Sequence, residues 1–130
     1  MSHFTTIKTE IRDRAILLEA LQGLKIRFQE NGSLPGHQNQ RQNVDLVIQG
    51  NKGLTWGFRK TGRDGAFQVT GILEDLRNSQ LIKMVDAIQQ EYARLKVLAE
   101  ARKEGFGLIL QQRTETGAVK LILRKVGTYS

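Results

Sequence analysis

Between residues 79 and 104 the apolar residues Leu81, Val85, Ile88, Tyr92, Leu95 and Ala99 recur in alternating steps of four and three. That spacing lays one apolar stripe along an α-helix and leaves the other side polar. The helix is roughly 39 Å long if unbroken, at 1.5 Å per residue, so its stripe needs an equally long apolar surface to lie on. Ser79 supplies an N-cap, and Gly105-Phe106-Gly107 stops the helix. A break between Leu95 and Leu98 would shorten it.

The covering surface is predicted to be a sheet. Residues 44–49, 54–60 and 66–71 are short β-rich runs joined by Gly50-Asn51-Lys52-Gly53 and Thr61-Gly62-Arg63-Asp64-Gly65, both suited to hairpin connections. Alternation puts Val44, Leu46 and Ile48 on one face of the first run, and Leu54, Trp56 and Phe58 on one face of the second. Trp56 and Phe58 are therefore core candidates. Asp45 interrupts an apolar run and is either a surface carboxylate or a structural one.

Residues 3–11 read as a further strand. Asp13 then caps a helix carrying Ile16, Leu17, Ala20, Leu21 and Leu24, for which Gly23 offers a left-handed stop. A short strand is expected at 25–28. The stretch QENGSLPGHQNQRQN has Leu34 as its one large apolar residue and is read as a polar loop at 29–43. Residues 108–113 and 118–126 form a last hairpin. The predicted fold class is α+β, order β-α-β-β-β-β-α-β-β, a mainly antiparallel sheet with two helices packed on one face.

At 130 residues, with 39% hydrophobic and 25% charged residues and one proline, the chain is read as a single α+β domain over 1–130. A domain of that size buries roughly two-thirds of the surface of its unfolded form. The absence of cysteine excludes disulfides, thiolate zinc sites and a cysteine nucleophile. No apolar run approaches the ~20 residues of a membrane span.

Catalytic spellings fail on context. Gly57 to Gly62 has the GxxxxG spacing of a phosphate-binding loop, but Arg63-Asp64 stands where Lys and Ser/Thr are needed, and no helix follows. Gly50-Asn51-Lys52-Gly53 copies a GxxG clamp, yet its flanks read as strands instead of helices. His3 and His37 have no metal-ligand spacing. Glu74-Asp75 stands before the long helix, where acidic groups suit the positive end of its dipole. No catalytic residue, metal site or cofactor is predicted.

Charge supplies the remaining lead. Twenty Lys and Arg against thirteen Asp and Glu give a formal charge of +7 and a pI near 10.1, which draws polyanions and acidic surfaces. Lys52, Arg59, Lys60 and Arg63, in or beside two successive hairpins, are the candidate contacts for a partner or for nucleic acid. Arg113, Arg124 and Lys125 are a second candidate cluster.

MSHFTTIKTEI at the start, VDLVI at 44–48, WGF at 56–58, IQQEYA at 88–93, EGF at 104–106 and AVKLILR at 118–124 together resemble the uncharacterised cyanobacterial and plastid family called hypothetical chloroplast open reading frame thirty-five. The likeness runs over nearly the whole chain. It departs from the family in the polar 37–43 loop and the glycine-rich basic hairpins. The resemblance implies a cytoplasmic or stromal location and no particular reaction. It also implies a subunit or adaptor role, with an AAA-type ATPase or a small ferredoxin-like protein as partner. The functional expectation is a non-enzymatic adaptor or assembly factor that binds a protein through a sheet edge, the Gln/Asn-rich loop or the outer face of the long helix. The alternative is a basic protein associated with nucleic acid or the ribosome.

Overall fold

The computed structural model describes residues 4–36, 38–49, 53–62, 64–113 and 118–125. The long stripe forms one continuous helix, α3 (Ser79–Lys103), of 25 residues, about 37 Å at the standard rise. No break falls near Leu95. Its N-cap is Asn78 and not Ser79: the Asn78 side-chain oxygen accepts from the backbone nitrogens of Gln80 at 2.9 Å and Leu81 at 3.4 Å. Asparagine stands one residue ahead of serine and does the same chemistry, so the two are hard to separate by sequence. Gly105, at φ 84°, takes the chain out of the helix.

The stripe lies on an antiparallel sheet of five strands in the order β1-β5-β4-β3-β2. These are β1 (Phe4–Lys8), β2 (Phe28–Pro35), β3 (Arg41–Ile48), β4 (Trp56–Lys60) and β5 (Phe67–Ile72). Leu46, Ile48, Trp56, Phe58, Phe67 and Val69 from its inner face meet Leu81, Val85, Ile88 and Tyr92 in one buried cluster. Helix α1 (Arg14–Gly23) adds Leu17, Ala20 and Leu21 to the same cluster and packs on α3. Asp13 caps α1 as expected, its carboxylate accepting from Ile16 N at 3.1 Å. Gly23 stays inside the last turn, and Lys25 takes the left-handed conformation, φ 59°. A four-residue helix, α2 (Leu73–Leu76), holds Glu74 and Asp75 in its first turn. The Asp75 carboxylate accepts from Thr55 N at 3.1 Å and so ties α2 to the start of β4.

The last hairpin forms as expected, apart from the main sheet, and one other expectation is corrected. The final hairpin, β6 (Phe106–Arg113) with β7 (Val119–Lys125), is a separate two-stranded sheet beside α3. The stretch read as a polar loop at 29–43, with a short strand at 25–28 before it, is instead most of a β2–β3 hairpin with Gln38 and Asn39 in its turn. There Gln38 and Asn39 have φ of 56° and 65°, and Gly36 N donates to Gln40 O at 2.6 Å. An edge strand needs backbone pairing on one side and few apolar side chains, which is why Gln29, Glu30 and Asn31 lie exposed on β2 without betraying a strand.

This hairpin does not stay flat. Pairing of β3 with β4 ends at Leu46 opposite Phe58. Beyond that point the Asp45 carboxylate, and not a carbonyl of β3, accepts from Lys60 N at 2.6 Å. Asn31, opposite Asp45 in the register, has φ 56°. The outer half of the hairpin then crosses the sheet face opposite the helices. Gln42 accepts the Thr70 hydroxyl, Gly36 lies against the Phe4 ring, and Leu34 and Val44 are buried outside the helix-side cluster.

Candidate functional site

Strand geometry separates the predicted basic residues. Arg59 and Lys60 are neighbours on β4 and point to opposite faces. Lys60 pairs with Phe67 on the helix side, its ammonium 5.8 Å from the centre of that ring. Arg59 pairs with Gln68 on the other side, and Gln68 pairs in turn with Lys8 of β1. Lys52 and Arg63 lie outside the described residues, as do His3 and His37. The second predicted cluster is not assembled. Arg113 stands opposite Val119 at one end of the β6–β7 ladder, whereas Gly107 pairs with Arg124 and Phe106 with Lys125 at the other, roughly 20 Å away along a strand.

A polar cleft of about 450 Å³ opens between β1 and the β4–β5 turn. Lys8, Glu10, Arg12, Thr61, Asp64 and Gln68 contribute to its walls. Arg12 sits between Glu10 at 3.1 Å and Asp64 at 3.8 Å. Asp64 accepts from Ala66 N and from the Thr61 hydroxyl, each at 3.0 Å. These hydrogen bonds, with Arg12 beside them, hold its carboxyl below the ordinary value. The cleft thus organises a turn and balances its own charges. Among the described residues no three His, Cys, Asp or Glu side chains come together to hold a metal ion.

A different surface lies on the outer flank of α3. Ala93 and Val97, one turn apart, form a ridge between two apolar hollows. One, of about 350 Å³, is shared with Ile11 and Tyr92. The other, of about 280 Å³, is shared with Ala118 and Leu121 of the β7 side. Val97 is 46% exposed. Tyr92 fixes one wall, because its hydroxyl accepts from Asp13 N at 3.0 Å and Arg12 N at 3.2 Å. Arg94 and Glu91 pair on the helix surface, and Lys96 bridges to Glu100 at 3.4 Å. The outer face of this helix is one of the partner surfaces expected from the sequence, although Ala93 and Val97 are not among the candidate residues. Their i, i+4 spacing beside Tyr92 was a legible sign that the apolar stripe is wider than the core needs.

The family model described as "Protein of unknown function (DUF1257)" matches residues 20–122. The chain belongs to the DUF1257 family. Three relatives carry the name "Uncharacterized protein ycf35", and each aligns over 96% of this chain and 98% of its own length. They come from Pyropia yezoensis at 30% identity, Guillardia theta at 27% and Cyanophora paradoxa at 24%. The resemblance read from the sequence is thereby established. No solved structure matches the chain.

The DUF1257 match takes in β2 to β5, all of α3 and the hollow on the β7 side of the ridge as far as Leu121, and it includes Arg59, Ala93 and Val97, whereas Ile11 of the other hollow precedes it. Lys8, Asp13 and the first turns of α1 precede it, within the span covered by the ycf35 relatives. No helix among the described residues is long and apolar enough to cross a membrane.

Proposed function

We propose that this DUF1257 protein is a non-enzymatic adaptor or assembly factor that binds a protein partner on the outer flank of α3. The observation that carries this reading is the Ala93–Val97 ridge, an exposed apolar feature with a hollow on either side. Side chains of a partner that fill such hollows leave water and are held by packing, which is how interface anchors work. The ridge stands on a long helix whose opposite side is locked into the core, so the surface is presented rigidly and little ordering is needed on binding. The AAA-type ATPase or ferredoxin-like partner and the stromal or cytoplasmic setting implied by the family resemblance belong to the same proposal.

Affinity purification under native conditions tests it. The wild-type chain should recover a protein partner in stoichiometric amount, and Val97→Glu should lose it while keeping the circular dichroism and Trp56 fluorescence of the wild type. Repeated recovery of the bare monomer at physiological concentration overturns the proposal. So does a partner retained in full by Val97→Glu.

A further inference from the structure

The outer edge of β1 carries backbone groups with nothing to bond. Lys60 N, taken up by the Asp45 carboxylate, points toward β3. Backbone groups of an antiparallel strand point alternately to its two sides, so Arg59 bonds toward β5, where its partner is Gln68. By the same alternation Val69 bonds toward Ile7 of β1, and Phe67 N donates to Ile11 O at 2.7 Å on that side. Thr5 and Ile7 are thus spent on β5, and the N–H and C=O groups of Phe4, Thr6 and Lys8 face outward. Among the described residues β1 pairs with β5 alone.

The two edges of the sheet differ. β2 is bent at Asn31, φ 56°, ends on Pro35 and has Glu30 tied to Arg14 at 2.9 Å, features that discourage a further strand. β1 is regular from Phe4 to Lys8, with no proline or glycine and its one charge at the end. Two exposed apolar side chains overlook it. Leu73, 43% exposed, belongs to α2, which contacts β1. Ile82, equally exposed, shares a flank of α3 with Gln89 and Lys96 at heptad spacing, and those two line a hollow with Glu10 and Ile11 just past β1.

We infer that β1 pairs antiparallel with β1 of a second copy, across a twofold axis at Thr6, so that the two sheets join edge to edge. In that register Thr6 meets its own counterpart, Phe4 meets Lys8 in both directions, and Thr5 meets Ile7. The outward-facing residues then form three hydrogen-bonded pairs, about six bonds. Each Lys8 lies beside an aromatic ring, and no like charges stand opposite within the paired strands. This self-match selects a second copy over an unrelated strand. Both helix layers stay on one side of the joined sheet, where Leu73 and Ile82 lean over the incoming strand. Because β2 is blunted, head-to-tail pairing of β1 with β2 does not propagate, and the assembly closes as a dimer. Five residues a side fall short of the ~1,200 Å² of a stable interface, so the dimer dissociates on dilution. A dimer carries two Ala93–Val97 ridges and makes the proposed adaptor bivalent, but the pairing does not depend on that reading.

Sedimentation equilibrium at rising chain concentration tests the inference. The apparent mass should climb from 14.7 kDa toward twice that value and no further. Thr6→Pro removes an outward N–H and no bond between β1 and β5, so it should keep the wild-type urea midpoint and stay monomeric. Thr6→Lys and Thr6→Glu should each associate several-fold more weakly than wild type. Their equimolar mixture should associate several-fold more tightly than either alone, since residue 6 faces its own copy. This charge pair decides the case even where proline disturbs the strand. Val97→Glu should dimerise as wild type does. A monomer at every concentration overturns the inference, as do a folded Thr6→Pro that dimerises like wild type, a mixture no tighter than its components, and growth past the dimer. Loss of the dimer in Val97→Glu places the second copy on the α3 ridge and overturns it too; recovery of another protein by that ridge is a separate measurement.

Discussion

The hydroxyl of Tyr92, midway along α3, lies 3.0 Å from the backbone nitrogen of Asp13, the residue that caps α1. The same oxygen accepts from Arg12 N at 3.2 Å. One side chain thus satisfies two donors that precede the first turn of a helix some eighty residues earlier, and it closes a wall of the hollow beside Ala93. Tyr92→Phe keeps the ring in the core and removes the acceptor. The expected cost is about 1–2 kcal/mol, since both N–H groups are partly buried. Urea denaturation followed by Trp56 fluorescence measures it, and a variant as stable as wild type would show that water replaces the hydroxyl at no cost.

Gly57 is required by the path of β3. A Cβ at this position would lie 2.0 Å from the Leu46 carbonyl oxygen and 3.4 Å from Val47 Cα, because β3 turns across β4 where their pairing ends. Backbone cannot yield as a flexible side chain does. Gly57→Ala is expected to cost at least about 3 kcal/mol, at the upper end of overpacking. Gly62→Ala, in a turn with open space around the same atom, should cost far less. Equal stabilities of the two alanine variants in urea would contradict the close approach.

The parts of the fold written in hydrophobic periodicity were legible. Six stripe residues announced α3, and strict alternation put Trp56 and Phe58 in the core, where both are fully buried with ring centres 5.7 Å apart. What depends on backbone pairing was not. β2 exposes Gln29, Glu30 and Asn31 because an edge strand is held by its ladder with β3, and polar composition there imitates a loop. The Tyr92 hydroxyl bond was illegible for another reason: it joins residues about eighty apart, and the stripe accounts for the ring without it.

The candidate site shows the same division. Convergence of Arg59 with Lys60 was excluded by the period of a strand alone, since neighbours point to opposite faces. The row of Lys8, Gln68 and Arg59 needed the strand order, in particular the placement of β1 beside β5, which no local pattern in the sequence encodes. Ala93 and Val97 sat in plain view as a flank of the stripe, but the hollows on each side come from Ile11 and Leu121, far away along the chain.

Asp45 is predicted to hold the hairpin at its point of departure from the sheet. Its carboxylate accepts from Lys60 N at 2.6 Å and lies 3.7 Å from the Arg14 guanidinium, linking β3, β4 and α1. Asp45→Ala removes both links and should speed exchange of the Lys60 amide and lower stability by about 1 kcal/mol. Asp45→Asn keeps an acceptor for Lys60 and loses the charge, so the amide should stay protected. Amide exchange by NMR separates the two. Slow exchange of Lys60 in the alanine variant would mean that another group takes the donor.

Asp64 supplies a test by pH. The Ala66 N–H and then the Thr61 hydroxyl, with Arg12 adding attraction, favour its ionised form and lower its pKa from the ordinary 3.8. A carboxyl with a lower pKa in the folded chain than in the unfolded one binds its proton later on acidification. It therefore contributes stability above the unfolded value, and that contribution is lost as pH falls through 3.8 and then through the lower folded value. Asp64→Asn keeps the shape and does not titrate. The stability difference between wild type and this variant should be largest near neutral pH and should shrink as the solution is acidified below 3.8. Urea denaturation at stepped pH reads that difference, and an NMR titration of the Asp64 carboxyl reads the pKa directly. A midpoint at or above 3.8 would mean that the turn does not hold the carboxylate as described.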